Sequence, residues 1–126
     1  MTGRLGFWLC NLLFLATSCA QERPAARILI ACHSVSGNTA KLAESIREGA
    51  ASVDGVSVTL RKTGEVKDEE IVLADGILVG TPVHWSDLSA ETKQFLDRVG
   101  AVLQKKSKAI GDGRAAGAFC TGGGVA

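Results

Sequence analysis

Two uninterrupted apolar runs, each followed by a helical stripe, constrain the fold more than any other feature of the chain. Arg27-Ile28-Leu29-Ile30-Ala31-Cys32 is rich in β-branched residues and has no polar alternation, as a strand buried on both faces requires. Gly76-Ile77-Leu78-Val79-Gly80 repeats the pattern in shorter form. Between them Thr39, Leu42, Ala43, Ile46, Ala50 and Val53 recur at helical spacing, which predicts an amphipathic helix ended by Asp54-Gly55. Val56–Arg61 then alternates apolar and polar, like a strand nearer a sheet edge. Lys67-Asp68-Glu69-Glu70 reads as a charged surface turn or a short helix start. Beyond the second run, Leu88, Thr92, Phe95, Leu96, Val99 and Leu103 form another stripe, with Ser86 or Ser89 available as N-cap. Ala115–Cys120 is a weaker fourth strand. Alternation of buried strands with helices predicts a doubly wound parallel α/β sheet with helices on both faces.

Composition removes several classes. The chain has 126 residues, enough for one domain. It carries 14 Lys+Arg against 13 Asp+Glu, a net charge of +1 without a basic stripe, which argues against a nucleic-acid binder. Hydrophobic residues at 46% and charged residues at 21% are too apolar a balance for a disordered chain. No Cys-x-x-Cys or Cys/His spacing suggests a metal site, and Cys32 and Cys120 end apolar runs, where small buried hydrophobes are expected.

The first residues read as a leader. Arg4 precedes the mostly apolar run Leu5–Ala16, 12 residues long, whereas a helix needs about 20 to cross a hydrocarbon layer. The run fits the apolar region of a secretory signal, followed by the small residues Ala16-Thr17-Ser18-Cys19-Ala20. It resembles a bacterial lipoprotein signal: Thr17, Ser18 and Cys19 match the lipobox, while Ala16 stands where Leu is usual. The resemblance implies lipidation at Cys19, a signal over residues 1–19, a tether over 20–26 and a folded domain over 27–126. No twin Arg precedes the apolar run, so export would be of the unfolded chain, to a membrane-tethered periplasmic or cell-surface site. A misassigned start codon, with a cytoplasmic product, stays open as the alternative.

Doubly wound folds bind ligands beyond the carboxyl ends of their strands. Three strand-end loops carry suitable chemistry. His33-Ser34-Val35-Ser36-Gly37-Asn38-Thr39 combines hydroxyls, a glycine and the free N–H groups of a helix start into an anion cradle with no Lys or Arg. It matches neither the P-loop pattern nor the Rossmann dinucleotide pattern. A neutral cradle suits a singly esterified phosphate. These residues resemble the flavodoxin superfamily, whose phosphate loop reads Ser/Thr-x-Ser/Thr-Gly-Asn-Thr and wraps the FMN phosphate. By that likeness Ser34, Ser36, Gly37, Asn38 and Thr39 bind cofactor.

The second loop, Gly80-Thr81-Pro82-Val83-His84-Trp85-Ser86-Asp87-Leu88, is similar to the loop of WrbA-type NAD(P)H:quinone oxidoreductases in that superfamily. The likeness places Pro82, Val83, His84, Trp85 and Ser86 against the flavin, with Ser86 in place of the usual glycine. The third, Phe119–Val125, resembles the family's Ser-Thr-Gly loop, which implies cofactor contacts at Thr121, Gly122 and Gly123; Val125 occupies the place of a family His. Four of the five strands of a flavodoxin-like sandwich are legible, so the domain is expected to be cut off inside its last cofactor loop.

The resemblance implies FMN as cofactor, NAD(P)H as co-substrate and a quinone as two-electron acceptor, with no side-chain acid or base required for hydride transfer. It also implies a homo-oligomer in a full-length form. Two rivals stay open. An electron-carrier flavodoxin usually has aromatics on both sides of the ring and an acidic surface. A flavin-free truncated lipoprotein would have no activity.

Overall fold

The structure is a computed structural model that describes residues 25–106 and 113–123. The leader, Cys19, most of the tether, and residues 124–126 with Val125 lie outside the described residues. Among the described residues no helix is long and apolar enough to cross a membrane.

Four strands run parallel: β1 (Ala26–Cys32), β2 (Val56–Lys62), β3 (Gly76–His84) and β5 (Ala115–Thr121). A two-residue β4 (Asp87–Leu88) folds back antiparallel on the end of β3. The parallel order is β2-β1-β3-β5, which sets the expected doubly wound topology. Helix α1 (Asn38–Ala51) covers one face, where Ile30, Cys32 and Ala43 are buried with Ile46, Leu60 and Phe119 packed on them. The other face packs under α2 (Asp68–Leu73) and α3 (Ala90–Lys105), burying Leu29, Ala31, Ile71, Ile77, Phe95 and Leu103. The continuous apolar character of β1 follows from this, because Leu29 and Ala31 face one layer while Ile30 and Cys32 face the other.

The stripes are narrower than their spacing implied. In α1 only Thr39 and Ala43 are fully buried, and Leu42 and, beyond the helix end, Val53 are exposed. In α3 Leu96 is exposed as well. Cys120, expected to be a buried hydrophobe, lies exposed on β5. That strand pairs only with β3 among the described residues, and its Ala115–Ala118 stretch is exposed. Phe119 approaches the sheet over Gly80, where an added Cβ would sit 2.4 Å from the Phe ring. Glycine at that position is a packing requirement.

The largest difference concerns residues 80–88. Instead of an open loop, β3 continues to His84 and returns through a two-residue turn, with Val83 opposite Leu88 and His84 opposite Asp87. Trp85 and Ser86 take the turn with φ of 50° and 65°. Positive φ at both central residues is what a type I′ hairpin turn demands. Ser86 is therefore a turn residue, and Ser89 caps α3, its Oγ accepting the Thr92 N–H at 3.3 Å.

Candidate cofactor site

The strand order reverses between β1 and β3: the chain leaves β1 toward β2 on the α1 face and leaves β3 toward β5 on the α3 face. A crevice opens at such a switch point, beyond the carboxyl ends of the two strands. All three sequence-predicted loops end there.

The first loop is shaped from within. His33 N–H donates to Gly80 O at 3.0 Å, extending the β1–β3 pairing one residue past β1. Ser34 Oγ then accepts from both Gly37 N–H (3.1 Å) and Ala40 N–H (3.2 Å). Ser34 thus caps the start of α1. Gly37 turns the chain with φ +88°, in the left-handed region that glycine occupies without strain, and nothing lies within 4 Å of where its Cβ would be. The next N–H groups, those of Asn38 and Thr39, have no acceptor among the described residues. They are the orphan donors of a helix N-terminus, at the positive end of its dipole.

Thr39 is 1% exposed, and its Oγ1 lies 2.7 Å from Thr121 Oγ1. This side-chain bond ties the first loop to the third across 82 residues of sequence. Gly122 completes the approach of the third loop to the second, since a Cβ there would stand 3.2 Å from Val83 Cγ2.

Between the loops lies an open cleft of about 290 Å³. Ser36 and Asn38 line it from the first loop, Pro82, Val83 and His84 from β3, and Thr121, Gly122 and Gly123 from the third. Val35, 75% exposed, lines it as well and was not predicted; an apolar residue flanked by two serines gives no sequence signal for such a role. Five predicted residues do not line the cleft. Ser34 and Gly37 build the loop, Thr39 is buried beneath it, and Trp85 and Ser86 sit exposed at the hairpin tip. The lining carries no Lys, Arg, Asp or Glu, so an anion here meets hydroxyls, an amide side chain and N–H donors.

Cys32 ends β1 near this site, but its burial pushes the thiol pKa up, with Lys62 opposing, so it stays a protonated core residue. No group of three metal-ligating side chains exists among the described residues. A larger apolar groove of about 610 Å³ between α3 and β5 carries none of the first-loop or third-loop residues.

A doubly wound sheet with a neutral, hydroxyl-bearing helix start at its switch point gives an α/β domain with free N–H donors where such folds take their ligands. Comparison with known proteins narrows the class. The chain belongs to the Flavodoxin domain family, which it matches over residues 29–111. It is 36% identical over 98 residues to a protein of Aquifex aeolicus named flavodoxin, covering 78% of this chain and 51% of that one. It is 31% identical over 100 residues to an NAD(P)H dehydrogenase (quinone) of Acidithiobacillus ferrooxidans, covering 64% and 50%. The chain thus spans about half the length of these relatives. In fold it is similar to a flavodoxin, WrbA-like protein from Agrobacterium tumefaciens, with a TM-score of 0.65 at 23% identity over 80% of this chain and 62% of that one.

Proposed function

We propose that this domain binds FMN and serves two-electron transfer from NAD(P)H to a quinone. The observation that carries the reading is the convergence of Ser36 and Asn38, Pro82–His84 and Thr121–Gly123 on one cleft at the switch point, in a flavodoxin-family chain. Flavodoxins are themselves the standard instance of FMN held at this place in a doubly wound sheet. The cradle fits a phosphate monoester: two unpaired N–H groups at a helix start, a serine hydroxyl, and open space at Gly37. The exposed β3 end and the third loop fit the edges of a flat heterocycle.

FMN bound here would supply the redox chemistry of a two-electron transfer. The chain's part is to hold and orient. The Asn38 and Thr39 N–H groups would hold the phosphate, Val83 and Val35 would cover apolar surface, and Thr121–Gly123 would limit access from the third side. Relatives named NAD(P)H dehydrogenase (quinone) support the enzymatic reading, and the relative named flavodoxin supports a one-electron carrier as the second reading. The neutral charge balance, and a cleft lining without Phe, Tyr or Trp to sandwich a ring, favour the enzyme. We read residues 1–19 as a lipoprotein signal that delivers the chain to a membrane surface; an intact mass that keeps residues 1–19 would overturn that reading.

The test is direct. The purified full chain is titrated with FMN and binding is followed by quenching of flavin fluorescence. Gly37→Asp puts both a Cβ at φ +88° and a negative charge into the cradle and is expected to abolish retention; unchanged affinity would sink the loop assignment. Bleaching of bound flavin by NADPH, followed by recovery with benzoquinone, supports the enzyme. Bleaching by a one-electron reductant alone supports the carrier.

A further inference from the structure

Beside the cofactor cleft stand three ionisable side chains, His84 at the end of β3, His33 in the first loop and Glu91 on α3. His84 is the one titratable residue lining the cleft. Its ring meets that of His33 edge to face, with centroids 6.3 Å apart and planes at 88°. His33 Nε2 in turn lies 3.6 Å from Glu91 Oε2 on the first turn of α3. His33 and Glu91 also line a second cavity of about 450 Å³, together with Lys62, Glu65 and Arg98. The line therefore runs from one cavity to the other. Among the other charged neighbours, Asp87 stands opposite His84 across the hairpin and its Oδ1 accepts the Leu88 N–H, Arg98 pairs with Asp68, and Lys62 and Glu65 face the second cavity with opposite charges.

We propose that Glu91, His33 and His84 form a proton-supply line from the second cavity to an acceptor bound over the cofactor cleft. The proposal rests on the flavin reading. Reduction of a quinone by a nicotinamide nucleotide consumes NAD(P)H, one proton and the quinone, and yields NAD(P)+ and the hydroquinone. The hydride equivalent brings both electrons, and the remaining proton must come from the medium. An N–H of protonated His84 donates that proton to the quinone oxygen as the electrons arrive. His33 returns a proton to His84; the two rings are too far apart for a direct hydrogen bond and close enough for one water to bridge. His33 is then reprotonated from solvent in the second cavity. Glu91 acts as a positioning residue, its carboxylate orienting the His33 ring.

An acceptor that takes electrons without protons has no use for such a line, and the experiment exploits this. The full chain and its His33→Gln variant are loaded with FMN and assayed with NADPH, using benzoquinone and then ferricyanide. The quinone-to-ferricyanide rate ratio is expected to fall about tenfold in His33→Gln and to be restored by added imidazole, a modest part of the range for a lost proton-transfer group. An unchanged ratio overturns the proposal. A second readout needs no cofactor: the His84 ring-proton signals are compared by NMR with and without the His33→Gln change. A ring met edge to face at 6.3 Å displaces the signals of its neighbour, so they should move when His33 is lost. His84 signals that ignore His33 overturn the line, whatever the rates do. A chain that binds no FMN overturns the flavin reading and this role with it, and the NMR result then shows separately whether His33 and His84 face one another.

Discussion

The Thr39–Thr121 hydroxyl pair decides how the first loop acts, and its removal separates two accounts of Thr39. If Thr39 contacts the phosphate, Thr39→Val weakens FMN binding whether or not Thr121 is present. In the structure Thr39 acts through its 2.7 Å bond to Thr121, so Thr39→Val and Thr121→Val share one effect. A neutral hydrogen bond contributes about 0.5–1.5 kcal/mol net. Valine matches threonine in shape, and Thr39 is 1% exposed, so Thr39→Val leaves no cavity and no orphaned group at its own site. The hydroxyl left on half-buried Thr121 can turn toward the open cleft, so the full burial penalty does not arise. Thr39→Val should therefore lose about 1 kcal/mol, or about 4–8 °C in Tm for a domain of this size, whereas Thr121→Val strands the buried Thr39 hydroxyl and should lose about 1–3 kcal/mol. The double variant should lose about 1 kcal/mol as well, a coupling of nearly the whole effect. Urea unfolding and FMN titration of the four proteins complete the cycle. Additive losses, about 2–4 kcal/mol in the double variant, would refute the shared bond.

Further predictions follow from the turn, the acidic helix start and the two thiols. Ser86→Gly should stabilise the chain by about 0.5–1 kcal/mol, because releasing a left-handed serine gains about 1–2 kcal/mol while glycine's unfolded freedom offsets about 0.5–1; a lower urea midpoint would count against the observed turn. Glu70 accepts the Lys67 N–H and pairs with Arg61, and these hold its carboxyl below the ordinary 4.5. Its contribution is present above that ordinary value and lost as pH falls through the lowered one, so Glu70→Gln should flatten the loss of stability below about pH 5. Denaturant midpoints across that range read it out, and parallel curves for the two proteins would contradict it. Exposed Cys120 should be labelled by a thiol reagent in the native chain, whereas Cys32 should react only on unfolding, as peptide mass mapping can show. Equal labelling rates would place Cys32 outside the core.

How far the sequence reveals this structure depends on what each element rests upon. Strands β1 and β3 are legible because both faces are buried and no polar alternate interrupts them. The helices are legible as periods but not as burial, since a two-sided sheet this small covers only the inner half of each stripe and leaves Leu42 and Leu96 outside. The hairpin after β3 was concealed twice. Pro82 reads as a break, yet it pairs opposite Thr121. Trp85-Ser86 lacks the Asn-Gly chemistry that announces a type I′ turn. The phosphate loop stood out because a hydroxyl-rich run followed a buried strand. What each hydroxyl does was hidden, because the partners of Ser34 and Thr39 depend on a local cap and on a strand 82 residues away.

That separation bears on how the domain comes to exist. Strands β1, β2 and β3 are made first, and their pairings close loops of moderate length. The cleft, however, needs residues 36 and 38 beside residues 121–123, which meet only when β5 has docked beside β3. Contacts of such sequence separation form late, after the entropy of closing the intervening chain has been overcome. A ligand gripped between the first and third loops would therefore report docked topology: a chain that captures it has β1, β3 and β5 in register.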